Sequence, residues 1–261
     1  MWVKLAIVIV LLGVFVYLSR KVFTSSAWKR YQLRRASMMA ARGEIEKMIS
    51  YLERNMDRRS VSDPLTNALV FFHIRSGQLE KAEELVMDAM ERGDGSGRAL
   101  AQLGYIAAGR DSREEAEQYY RQAVEKDPEL KSTVNVNLAA MLIEDGSQLD
   151  EAEELLGEAL ELREGSAKSG VHINLALLSM KRGDPRQALV QALTGYELMP
   201  AQKVTARSRA NALAIASRAY RDQGESKESS RLASKALKIL DEVETPEDDR
   251  LYTELGHLAG S

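Results

Sequence analysis

Cysteine is absent from this 261-residue chain, which excludes a disulfide framework and any zinc site built on thiolates. Proline occurs only 5 times and no long Val/Ile/Thr alternation runs through the sequence, so a sheet-based body is not expected. Aromatics make up 6% against 29% charged residues, the balance of an Ala/Leu/Glu/Arg-rich helical protein. Signatures of phosphate and metal chemistry are missing as well: there is no GxxxxGK(S/T), no GxGxxG and no HExxH. Gly93-Asp94-Gly95-Ser96-Gly97 is glycine-rich, but no strand precedes it, and it reads as a turn. His73, His172 and His257 stand far apart without paired ligand spacing. No catalytic residue, metal or cofactor is expected, and the chain reads as non-enzymatic.

What is present is unevenly spread. Residues 20–59 hold 11 Lys/Arg against 4 Asp/Glu, whereas 60–261 hold 24 against 35. The acidic body argues against nucleic acid as a partner, since that binding needs a Lys/Arg face. Leu5 to Leu18 is an uncharged run, LAIVIVLLGVFVYL, which extends to 18 residues from Trp2 to Ser19 with Lys4 as its one charge. A spanning helix takes about 17–25 apolar residues. Lys4 can snorkel to the interface, and Trp2 and Tyr17 suit the headgroup level at either end. Arg20-Lys21 follows the run where a signal peptide would place a small-residue cleavage site. Residues 1–19 are therefore expected to form a single transmembrane anchor, and 20–28 a basic juxtamembrane stem. Arg20, Lys21, Lys29, Arg30, Arg34 and Arg35 make a basic flank that keeps the following body in the cytoplasm. The same side chains attract anionic headgroups. The expected location is a single-pass membrane protein, in a bacterial inner membrane, with its body facing the cytoplasm.

Behind the stem, a helical pair recurs with a period of about 34 residues. In the sharpest copy, residues 97–130, Leu103-Gly104 is followed by Ala107, Ala116, Tyr120, Ala123 and Pro128. This spacing resembles the tetratricopeptide repeat, a helix-turn-helix unit. The resemblance implies an all-α fold, an α-solenoid of such repeats preceded by one transmembrane helix. Small residues recur where two helices cross closely, because a larger side chain would hold the backbones apart. Leu103, Gly104, Ala116, Tyr120, Ala123, Ala152 and Ala188 are accordingly assigned to packing between helices. Further copies fall at 63–96, 131–165, 169–202 and 203–243. Residues 29–62 fit a degenerate copy or an N-terminal cap, and 247–261 a capping helix with its tail. Asp63-Pro64 reads as a helix start, and glycines 77, 146, 183 and 224 fall at helix ends where positive φ is expected.

In this family the first helices line a concave groove. Counted from residues 132 and 169, Asn137 and Asn174 both take the sixth position of their repeats, where an amide can pair with an extended peptide backbone. Tyr105, Asn211 and Arg218 would flank that groove. The lysines that chaperone-tail-binding members carry are missing at the matching positions. Anchor plus repeats is similar in architecture to bacterial lipopolysaccharide assembly protein B, whose four-cysteine rubredoxin-like module has no counterpart here. It is similar too to mitochondrial outer-membrane import receptors. The expected partners are a protein or peptide segment in the groove, the membrane through the N-terminal helix, and a second copy as a further candidate. The expected function is a membrane-anchored scaffold that recruits a protein for assembly of a membrane or envelope complex. The alternatives are a periplasmic or secreted interaction protein and a self-assembling subunit.

Overall fold

The computed structural model describes residues 26–42, 44–146, 148–202, 205–243, 245 and 249–260. The expected anchor, with Arg20 and Lys21 behind it, lies outside the described residues. Among the described residues, no helix is long and apolar enough to cross a membrane. All their regular structure is helical, and it divides into two compact units, 1–126 and 127–261. The first holds α1 (Ser26–Ala41), α2 (Ile45–Asn55), α3 (Pro64–Arg75), α4 (Leu79–Glu91), α5 (Gly97–Gly109) and α6 (Arg113–Lys126). The second opens on a short turn of 3-10 helix (Pro128–Leu130). It continues with α7 (Lys131–Asp145), α8 (Leu149–Glu161), α9 (Ser169–Lys181), α10 (Pro185–Leu198), α11 (Ala206–Asp222), α12 (Ser226–Asp241) and the single α13 (Arg250–Gly260).

Local chemistry sets the helix starts. The Asp63 carboxylate accepts the backbone N–H groups of Leu65 at 3.0 Å and Thr66 at 3.2 Å, with Pro64 in the first turn. Asp184-Pro185 repeats the device at α10, where Asp184 accepts from Gln187 N–H at 2.9 Å. Such caps satisfy donors that the helix itself cannot, at about 1 kcal/mol each.

The turns inside the hairpins share one pattern. After α3, Gly77 N–H bonds to the Ile74 carbonyl and Gln78 N–H to that of His73, and after α9 Gly183 and Asp184 bond in the same way to Met180 and Ser179. This paired reverse bonding needs a left-handed residue, and Gly77 and Gly183 have φ of 69° and 74°. In the α5–α6 hairpin the same bonds form from Asp111 and Ser112 to Ala108 and Ala107. Asp111 itself takes the left-handed position, with φ of 62°.

Close helix crossing then fixes which positions must stay small. Ala116, Tyr120, Ala123, Ala152 and Ala188 are fully buried, and Leu103 and Gly104 are buried too. A Cβ on Gly104 would lie 2.7 Å and 2.8 Å from ring carbons of Tyr120. A Cβ on Gly195 would lie 3.0 Å from the Ser169 carbonyl oxygen, so α10 approaches α9 backbone to backbone. In the first unit, one apolar cluster joins α3, α4 and α5 through residues such as Val70, Val86 and Leu103. In the second, Leu156 and Val171 join α8 to α9, and Leu213, Leu240 and Leu255 join α11, α12 and α13.

The glycine-rich junction at 93–97 is a built turn. Buried Asp94 accepts the backbone N–H of Val61 at 2.7 Å and that of Ser96 at 3.0 Å, tying the segment before α3 to the one before α5. Burial pushes this carboxyl up, but the bonds from Ser96 and Val61 outweigh burial and hold it below the usual carboxylate range. His73 is buried inside its hairpin, with Nδ1 2.9 Å from Gln78 Oε1.

Candidate functional site

In the second unit, the first helices of successive hairpins, α7, α9 and α11, frame a cavity of about 450 Å³. Ala140, Ile143 and Glu144 come from α7, Asn174, Leu177, Met180 and Lys181 from α9, and Arg218 from α11. An apolar floor with a few polar groups at its edge is the usual make-up of a binding cleft. Position within the repeat explains the floor. Counted from residues 132, 169 and 210, Ala140, Leu177 and Arg218 all hold the ninth position of their repeats, and Ile143 and Met180 the twelfth. These lie one turn apart on the same helix face.

Each polar group at the rim is already aimed by a neighbour. The Asn174 side-chain N–H donates to the Gly170 carbonyl at 3.1 Å. Its carboxamide oxygen and second N–H have no partner among the described residues. Lys181 Nζ donates to the backbone carbonyl of Glu144 at 3.1 Å, joining α9 to α7. Arg218 Nε lies 3.2 Å from Glu254 Oε1 of α13, an ion pair whose angles are not those of a hydrogen bond. Counted from Asp249, Glu254 takes the sixth position, the one that Asn137 and Asn174 hold counted from residues 132 and 169. The base of that helix is pinned separately. The Arg207 guanidinium, 2.8 Å from Asp249, draws the Asp249 carboxyl below its usual range against the opposing effect of burial. Asp249 in turn caps α13 by accepting Leu251 N–H at 2.9 Å.

The residues expected from sequence divide into those that line the cavity and those that do not. Asn174 and Arg218 both line it. Asn137 and Asn211 are half-buried on α7 and α11 and are not among its lining residues. The buried asparagine of α7 is Asn135, which donates to Glu158 at 2.8 Å; Lys131 and Asn135 together hold the Glu158 carboxyl below its usual range. Tyr105 belongs to the first unit, on α5, and is 43% exposed. It has a counterpart there: Phe71 on α3 takes the same ninth position and is 55% exposed. Gln102 bridges these two helices by donating to Asn67 at 3.1 Å. The ninth position of the repeat was therefore the signal that could have found Phe71, which is exposed, and Ala140 and Leu177, which are half-buried.

Of the basic flank, Arg30, Arg34 and Arg35 are exposed on α1. Lys29 is not part of that exposed surface. Its Nζ sits 2.5 Å from Asp63, the cap of α3, where the ion pair packs α1 onto the next hairpin.

No protein-family model and no curated protein sequence matches the chain. Solved structures do. PilF of Pseudomonas aeruginosa is 20% identical, with 74% of this chain and 87% of that one covered and a TM-score of 0.52. PilW, a type IV pilus biogenesis factor, is 16% identical over 88% of this chain and 100% of its own, with a TM-score of 0.58. Yeast Tom70 is 16% identical over 87% of this chain and 46% of its own, with a TM-score of 0.61. The fold is that of the tetratricopeptide repeat. At these identities the likeness carries the fold, and the function has to be argued from the surface.

Proposed function

We propose that the chain is a non-enzymatic scaffold, anchored in a membrane by residues 1–19, which holds a segment of a partner protein in the α7–α9–α11 cavity. The observation that carries the reading is the cavity's make-up: Ala140, Ile143, Leu177 and Met180 form an apolar floor flanked by Asn174, Lys181 and Arg218. An extended segment would bury apolar side chains on that floor and bond its backbone to the free carboxamide groups of Asn174. The 18-residue apolar run with its basic flank supports the anchor and the cytoplasmic orientation. Assembly of a membrane or envelope complex is the task that fits both features. PilW, which shares the fold, is a pilus biogenesis factor.

The test is affinity isolation of the full chain from native membranes beside two variants. Leu177→Glu places a charge on the floor, and Val190→Glu places one on exposed α10 away from it. A partner retained by wild type and Val190→Glu but lost by Leu177→Glu supports the reading. Equal retention by all three removes the cavity from it.

A further inference from the structure

Helix α1 has a surface that nothing in the described chain covers. It carries Lys29, Arg30, Arg34 and Arg35 and no acidic residue. Its inner face is committed to the first unit: Ala36 and Gln32 are buried, and Gln32 donates to Asn55 at 2.9 Å. Lys29 is paired with Asp63, and Arg35 lies over the Tyr51 ring, 5.2 Å from its centroid. The outward stripe is Arg30, Tyr31, Arg34 and Met38, residues spaced to fall on one side of a helix. Tyr31 is 52% exposed and is braced by stacking on Trp28 at 5.3 Å, while Met38 is 49% exposed. Two cations interleaved with a large aromatic and a methionine, on an otherwise acidic protein, do not match a merely solvated face.

We propose that the Arg30–Tyr31–Arg34–Met38 face of α1 lies on the anionic headgroup surface of the membrane and holds the first unit against it. The inference rests on the anchor reading. Seven peptide steps separate Ser19, where the apolar run ends, from Ser26, where α1 begins. At about 3.3–3.6 Å per step, α1 starts within about 25 Å of the bilayer. Its basic side chains therefore meet a surface at high effective concentration. The chemistry matches on both counts. Guanidinium groups pair with lipid phosphates, and tyrosine favours the headgroup level, where its ring is buried and its hydroxyl wet. Each basic side chain close to an anionic leaflet strengthens attachment about fivefold.

The absence of cysteine makes the test clean. Met38→Cys is labelled with a fluorophore in the full chain, reconstituted into vesicles containing phosphatidylglycerol and brominated lipid, with Val190→Cys on exposed α10 as the comparison site. The expected result is strong quenching at position 38 and little at 190. Quenching at 38 should fall to the level at 190 when Arg30→Glu/Arg34→Glu is added, or when all lipid is phosphatidylcholine. Both arginines are exposed, so these reversals should leave the helical content unchanged. Quenching at 38 no greater than at 190, with the protein still resisting alkaline washing, overturns the headgroup contact while leaving the anchor standing. Quenching that survives the charge reversal overturns it too. Release of the protein by alkaline washing overturns the anchor reading, and this inference with it.

Discussion

Gly104 on α5 faces α6 with no room for a side chain. Its neighbour Tyr120 is fully buried on α6, and a methyl group on Gly104 would meet ring carbons at 2.7, 2.8 and 3.1 Å. Ordinary carbon–carbon contact begins near ~3.5 Å, so Gly104→Ala drives an overlap of about 0.8 Å into a packed ring. Overpacking of this kind costs about 1–3 kcal/mol. Alanine recovers about 0.5–1 kcal/mol of helix propensity, which leaves a net loss of about 0–2.5 kcal/mol, centred on ~1 kcal/mol. Gly157 provides the opposite case: it sits inside α8, exposed, with nothing within 4 Å of its missing Cβ. Gly157→Ala should therefore stabilise by about 0.5–1 kcal/mol. The chemical change is identical, and only the neighbour differs. Urea unfolding followed by helical circular dichroism measures both, each read in the transition of the unit that carries it. A double substitution, Gly104→Ala/Tyr120→Leu, should show coupling of at least about 1 kcal/mol, because the smaller side chain removes the overlap. If Gly104→Ala stabilises, or shows no coupling to Tyr120→Leu, the close α5–α6 crossing is wrong.

The turns and caps give three further expected outcomes. Asp94→Asn should destabilise the first unit by about 1–3 kcal/mol, since it weakens charge-assisted bonds to Val61 and Ser96. The Asp94 carboxyl is held below its usual range when folded, so its contribution is present above the ordinary aspartate value of about 3.9 and is lost as pH falls through the folded value. Urea midpoints of wild type and Asp94→Asn should accordingly converge below about pH 4. A constant gap would contradict that role. Asp111→Gly should stabilise the α5–α6 hairpin by about 0.5 kcal/mol by relieving the left-handed backbone, whereas Asp111→Val should cost about 1–2 kcal/mol. Thermal melts that rank these variants in any other order would refute the assignment. Asp63→Ala removes both the cap of α3 and the partner of Lys29. It should cost more than the ~1 kcal/mol of a cap alone, and Lys29→Met in the same background should add little.

The helices and their pairing were legible because each hairpin repeats the same steric demand. Gly104, Ala116 and Ala152 stand where a larger side chain cannot go, so the period appears in residue type itself. Left-handed turns were equally visible at Gly77 and Gly183, but not at Asp111, where an aspartate takes the conformation that glycine takes elsewhere. Contacts between distant segments left no mark in the local pattern. Asp94 bonds to Val61 across 33 residues, and Lys29 serves Asp63 although its neighbours suggested a membrane flank. The division after Lys126 falls ahead of the repeat boundary at 130, because the Pro128–Leu130 turn packs with α7. The cavity was half legible. Asn174 and Arg218 stood out as polar residues at expected groove positions, whereas Ala140, Leu177 and Met180 are half-buried apolar residues that only their place in the repeat sets apart from the core. Asn137 and Asn211 shared the polar signal without reaching the same cavity, since sequence position fixes the helix face less finely than one residue.

Occupation of the α7–α9–α11 cavity by a partner segment can be seen where it would happen, inside the cell. Photocrosslinking in living cells reads this contact at single residues, with benzoylphenylalanine in place of Leu177 on the cavity floor or of the exposed Val190 on α10. The expected result is one discrete crosslinked species from position 177, none from 190, and loss of the species when Asn174→Ala/Met180→Glu is added. No crosslink at 177, or the same species from both positions, would contradict it.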